Sequence, residues 1–244
     1  MLKAILEGKA GRVSLDGDLV GQSWRDVFKK REDLLTSVFF GRLRYLSREG
    51  ERQLLKLLIG DNAAECFGEI LEIIFWPRIR GLTNRNYVEP DVLIFFQDNL
   101  LIVEVKPNFG GCQKEEQWAN QIQSIILQRN LDNPDVITPN QINFLALGNN
   151  TFESKQAANR LLCTFGAHGL VGVYMCEWVD VYHGVHMLFF SEQGRDKFVY
   201  KDMLDAFSLF GLIQKPLPFS DLLPLAQMPH SAWRIDMLNF NVPN

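Results

Sequence analysis

The stretch that most constrains the fold is residues 88–106, Val-Glu-Pro-Asp-Val-Leu-Ile-Phe-Phe-Gln-Asp-Asn-Leu-Leu-Ile-Val-Glu-Val-Lys. Two apolar runs flank a polar break at Gln97-Asp98-Asn99. Each run is short, rich in β-formers and bounded by turn residues, so the stretch predicts a β-hairpin. On a strand, Glu104 and Lys106 point to one face while Val103 and Val105 point to the other. Ionised groups inside an apolar strand are costly unless something uses them. With Asp98-Asn99 as the central residues of a tight turn, Asp91 falls opposite Lys106, and Leu93 opposite Glu104. Directly opposed residues share a face, so Asp91, Glu104 and Lys106 converge on one side of the sheet. A slip of one residue would send Asp91 to the wrong side. Two carboxylates and one ammonium on a rigid sheet make a divalent-cation site with a lysine beside it. The competing reading is a structural salt bridge. Desolvation offsets most of the attraction in a buried pair, and two acids with one base leave a net negative pocket.

A chain of 244 residues can bury a full core without staples. The expected arrangement is α/β: an N-terminal arm over 1–22, a core over 23–150, and a C-terminal extension over 151–244 packed on the same domain. No apolar run reaches membrane-spanning length and no signal-peptide pattern opens the chain, so no membrane partner is expected. Cys66, Cys112, Cys163 and Cys176 are scattered without paired spacing, which points to free thiols in a reducing, cytoplasmic setting. The net charge of −4 argues against a broad nucleic-acid surface but leaves room for a local basic groove. The chain has no Walker-type loop, dinucleotide fingerprint or nucleophile elbow. His183 and His186 lack a third ligand nearby in sequence.

Along the chain, Leu2–Leu6 reads as a strand in a glycine-punctuated arm. Ser23 reads as a helix cap, followed by one long or two broken helices to Leu46. The segment 23–56 is rich in Lys and Arg. Arg44 and Arg48, four apart, would share a helical face and so a phosphate-facing stripe; a solvated surface is the other reading. A short helix is expected at 50–60, and another over Ala63–Phe75 with Asn62 as cap and Trp76-Pro77 as its stop. Arg78, Arg80 and Arg85 lead into the hairpin, where they would meet a phosphate backbone or simply edge a strand near Ile79. A helix over Gln113–Arg129, a strand at Gln141–Leu147, a helix at Ser154–Phe165, a strand at Leu170–Cys176, an apolar run at 185–190 and a helix at Asp196–Leu212 follow. The tail, 213–244, is proline-bearing and aromatic, and reads as a wrap or a partner-binding arm.

Pro90-Asp91, a spacer and then Glu104-Val105-Lys106, on a predicted hairpin between helices, resembles the signature of the PD-(D/E)xK nuclease superfamily. The likeness covers about residues 30–148 by element order. It implies a restriction endonuclease-like αβββαβ core with a mixed central sheet flanked by helices. It also implies an extra carboxylate from a preceding helix, carried here onto Glu32, with Asp33 as second choice. A solvated helix charge is the alternative for Glu32. Polar residues on the helix after the catalytic strand help hold the site or the DNA in several branches. Gln117 and Gln121 take that position, with surface glutamines as the competing reading.

The chemistry expected is Mg²⁺-dependent hydrolysis of a DNA phosphodiester, with Mn²⁺ as substitute. Asp91, Glu104 and the Val105 carbonyl would ligate the ion, with Glu32 assisting. Lys106 would position or help deprotonate water and stabilise developing charge. A restriction, phage-defence or transposition system is the expected setting, with a homodimer or a second subunit engaging the tail as possible assemblies. The alternative is a catalytically silent nuclease-fold DNA-binding or scaffold subunit, because fold does not fix function.

Overall fold

A computed structural model of the chain describes residues 2–13, 21–29, 31–80, 87–107, 111–129 and 139–212. In chain order the elements are α1 (Leu2–Leu6), β1 (Arg12–Val13), β2 (Gln22–Ser23), α2 (Trp24–Lys29), α3 (Glu32–Phe40), α4 (Arg48–Ile59) and α5 (Asp61–Phe67). They continue with β3 (Glu72–Phe75), β4 (Ile79–Arg80), β5 (Tyr87–Val88), β6 (Val92–Phe95), β7 (Asn99–Val105), α6 (Glu115–Arg129) and β8 (Gln141–Leu147). Last come α7 (Phe152–Phe165), β9 (Leu170–Cys176), α8 (Trp178–Ser191) and α9 (Asp196–Phe207). The tail 213–244, Arg85 and the loop after Pro107 lie outside the described residues, so the reading of the tail has no structural counterpart here.

A five-stranded mixed sheet in the order β3-β6-β7-β8-β9 is the spine of the molecule. β3, β6 and β7 run antiparallel to one another, and β7, β8 and β9 run parallel. β7 is buried at every position, as expected of a central strand covered on both faces. Leu101, Val103 and Val105 pack with residues of α3, α4, α8 and α9, including Phe39, Leu54, Trp178 and Phe207. Leu100 and Ile102 pack on the other face with Trp118, Ile122 and Leu161 from α6 and α7. The compact unit runs from Met1 to Leu212. No separate body begins at residue 151, because β9 pairs directly with β8.

Several expectations are corrected. Leu2–Leu6 is a short helix. Ser23 closes the small β1–β2 ribbon and directly precedes α2, and of the two arrangements expected after it the broken one is found, with α2 and α3 as separate helices. The helix expected over Ala63–Phe75 stops at Phe67; Gly68, at φ 76°, turns the chain into β3. Asn62 lies inside α5, not at its cap. The apolar run at 185–190 is the end of α8. The strand expected near Ile79 is β4, which pairs with β5 in a separate two-stranded ribbon.

The hairpin register also differs. Val92 pairs with Val103 and Phe95 with Leu100, and the Phe96 amide donates to the Asn99 carbonyl. The central turn residues are therefore Gln97 and Asp98, and Asp91 falls opposite Glu104 instead of Lys106. The displacement is two residues, which keeps every side chain on its expected face.

The helix behind the sheet is tied at its start by a distant residue. Ser47 caps α4 by accepting from the Gly50 amide at 3.1 Å. Buried Asp196, at the start of α9, accepts from the Ser47 amide at 2.9 Å and from its hydroxyl. A Cβ at position 50 would stand 2.3 Å from Asp196 Oδ2, so glycine is required by close approach. Asp196→Ala leaves the Ser47 donors without their acceptor, and an expected loss of about 1–3 kcal/mol follows. Urea unfolding of the two proteins measures it.

Candidate metal centre

The site lies at the carboxyl end of β7, where the strand direction of the sheet changes from antiparallel to parallel. Asp91 precedes β6, and Glu104 sits near the end of β7. Glu32 is the first residue of α3, where the helix dipole favours a carboxylate. One carboxylate oxygen from each of Glu32, Asp91 and Glu104 lies within 4.8 Å of the others. Asp91 and Glu104 are buried, and Glu32 is half-buried. Asp33, the second choice for the helix carboxylate, is exposed.

Lys106 reaches into this group. Its Nζ lies 2.5 Å from Glu104 Oε1, 3.0 Å from Glu32 Oε1 and 3.0 Å from the Val105 carbonyl. Asp91 Oδ2 accepts from the Val105 amide at 2.7 Å. Val105 thus offers its N–H to one carboxylate and its carbonyl to the lysine. Gln117 and Gln121 of α6 donate to the two oxygens of Glu104, at 2.5 and 2.8 Å. They lie one helical turn apart and hold the carboxylate in one orientation.

The supporting groups that sequence reasoning missed are Gln113, Trp178 and Gly148. Buried Gln113 donates to the Gly148 carbonyl at 3.0 Å and to the Glu104 carbonyl at 3.3 Å, and accepts from Trp118 Nε1 at 2.9 Å. It ties the ends of β7 and β8 to the start of α6. Trp178 Nε1 donates to the Lys106 carbonyl at 3.0 Å. No local pattern marks these residues, because their partners lie on other elements.

The basic residues fare differently. Arg44 lies in a 3₁₀ turn and Arg48 begins α4. The Ser47 cap separates them, so the shared helical face is not formed. Arg44 donates to the Ile73 carbonyl at 2.5 Å, and Arg48 sits 3.8 Å from Glu69. Arg52 and Lys56 pair with Glu65. Arg78 pairs with Glu89 at 3.3 Å and covers the Tyr87 ring, while Arg80 is exposed. His183 and His186 fall on α8, where His186 packs between Tyr182 and Phe190. The four cysteines are free.

Burial first, and then the charge of Glu104, push the Asp91 carboxyl up to about 8, against the Val105 N–H that favours its ionised form. Burial also raises Glu32, with Lys106 opposing. Burial disfavours the Lys106 ammonium, but Glu104 and Glu32 outweigh it and hold the group up at about 12. Acids this crowded are relieved by a cation, and their hard oxygens suit Mg²⁺ or Mn²⁺.

The raised Asp91 value has a thermodynamic consequence. Between the ordinary aspartate range and pH about 8, the folded metal-free protein holds a proton that the unfolded chain has released. Stability therefore falls as pH rises through that window. In EDTA the urea midpoint is expected to drop between pH 5 and pH 8. Asp91→Asn should flatten the profile and exceed the wild type at pH 8.

Comparison with curated proteins shows similarity to the uncharacterized protein PM0110 of Pasteurella multocida (strain Pm70). Identity is 30% over 142 residues, covering 55% of this chain and 50% of that protein. The chain thus spans about half the length of the curated relative it matches. No family model matches the chain, and no solved structure matches it. Among the described residues, no helix is long and apolar enough to cross a membrane.

Proposed function

We propose that the chain is a metal-dependent DNA endonuclease of the PD-(D/E)xK superfamily, with a restriction endonuclease-like core. The observation that carries this reading is the meeting of Glu32, Asp91 and Glu104 within 4.8 Å, with the Lys106 ammonium against two of them. The order of elements around it supports the same reading: α3 supplies Glu32, the β6–β7 hairpin and its flanking residues supply Asp91, Glu104 and Lys106, and α6 supplies two amides.

Glu32, Asp91, Glu104 and the Val105 carbonyl would hold Mg²⁺, or Mn²⁺ in its place. A bound ion supplies Lewis acidity and a more acidic water. Asp91 and Glu104 are fixed by the Val105 amide and by Gln117 and Gln121, so the ligand set is preorganised. Lys106 carries positive charge at neutral pH. It would orient the attacking water and offset the negative charge that grows on the phosphate oxygens. Arg78 and the exposed Arg80 would contact the DNA backbone. A restriction, phage-defence or transposition system is the proposed setting.

The direct test is incubation of plasmid and linear DNA with the protein in Mg²⁺, in Mn²⁺ and in EDTA. Nicking or cutting is expected with either metal and not in EDTA. Intact DNA together with absent Mn²⁺ binding by calorimetry would overturn the proposal and favour a silent scaffold.

A further inference from the structure

A cavity lies beside the metal centre, and the proposed nuclease chemistry leaves it without a task. It measures about 320 Å³ and lies between β5 and α6, lined among others by Tyr87, Glu89, Lys114, Gln117, Asn120 and Gln121. Two of these side chains, Gln117 and Gln121, also donate to Glu104. The cavity is therefore one side chain away from the catalytic glutamate.

Its chemistry is selective. Gln121 is 2% exposed, and while its Nε2 binds Glu104, its Oε1 has no protein partner. A buried amide oxygen without a donor costs free energy unless a ligand or water supplies one. Tyr87 is 48% exposed, and the Arg78 guanidinium lies 5.1 Å from its ring centre. One face of the ring is thus covered by a cation, and the ring lines the cavity. Glu89 and Glu116 outnumber Lys114 along the wall, so a free anion is disfavoured. The volume is at the low end for ligand pockets, which suits a single planar ring system and not a duplex. Amides present both donors and acceptors, as the edges of nucleobases do.

We propose that this cavity receives one unpaired nucleobase of the strand being cut, stacked on Tyr87 and read by Asn120. This rests on the nuclease reading for the identity of the strand. Taking a base out of its stack is cheapest where the strand is already single or distorted. The protein would accordingly prefer single-stranded or unpaired DNA to regular duplex.

The test compares binding of the full chain, in EDTA, to three fluorescent oligonucleotides of equal length. They are a single strand, the same sequence as a duplex, and an abasic single strand with unchanged phosphates. The base-bearing strand should bind roughly ten-fold more tightly than the abasic one, the scale of one stacked base. Tyr87→Ala should abolish that difference, Tyr87→Phe should keep it, and Asn120→Ala should reduce it, with Mn²⁺ affinity unchanged in all three. Equal binding of the base-bearing and abasic strands overturns the pocket, even if metal-dependent cutting is intact. Base-dependent binding that is lost only in Tyr87→Ala supports the pocket, even if no cutting is found, in which case the nuclease reading alone falls.

Discussion

Lys106→Ala is expected to lower magnesium-dependent strand cleavage by about 10²- to 10⁴-fold, the usual range for removing a positioned acid–base or charge-stabilising group. The same variant should still bind Mn²⁺, because Glu32, Asp91 and Glu104 remain. Its metal-free form should be less stable than the wild type. The ammonium lies 2.5 Å from Glu104 and 3.0 Å from Glu32, and its removal leaves neighbouring buried carboxylates uncompensated. Added Mn²⁺ should then raise its melting temperature by more than it raises that of the wild type. Asp91→Ala should behave differently and lose both cleavage and most Mn²⁺ affinity. Plasmid nicking, calorimetry and thermal melts with and without metal separate the two patterns. Full cleavage by Lys106→Ala would remove the lysine from the mechanism.

Gly148→Ala is expected to destabilise the protein by about 2–5 kcal/mol, combining left-handed backbone strain with overpacking. Gly148 directly follows β8 with φ at 84°, a conformation that residues with a Cβ rarely adopt. The added methyl would stand 2.2 Å from the Lys106 carbonyl and 2.7 Å from the Trp178 ring. Neither neighbour is free to retreat. The Lys106 carbonyl accepts from Trp178 Nε1, and the Lys106 amide donates to the Leu147 carbonyl at 2.8 Å. The clash is therefore transmitted to the strand end that carries Glu104 and Lys106. A large fall in the urea midpoint should accompany a loss of cleavage disproportionate to the fraction unfolded. A wild-type midpoint in Gly148→Ala would show that this strand end is pliable.

The two variants probe different depths of the same site, and the sequence disclosed only the shallower one. The pattern of residues 88–106 discloses the hairpin because alternation has a period of two and needs no knowledge of the rest of the chain. Even the wrong turn, displaced by two residues, left Asp91, Glu104 and Lys106 on the expected faces. β3 stayed hidden because Glu-Ile-Leu-Glu-Ile-Ile-Phe continues a helix-like pattern from α5. The left-handed Gly68 breaks it, and a glycine does not announce the sign of its own φ. Gln113 and Trp178 had no signal, since each acts on a carbonyl from another element.

The Asp91…Glu104-x-Lys106 spacing, and with it the character of the centre as two acids and a base on one strand pair, was legible in the chain as written. Local backbone geometry dictates such short-range facts. The family resemblance pointed to Glu32, Gln117 and Gln121 as candidates, but packing decided that Glu32 meets the two strand carboxylates from α3, that the two α6 amides grip Glu104, and that burial lifts the Asp91 carboxyl to about 8. These depend on which helices cover which face of the sheet, and that is settled by the whole core at once.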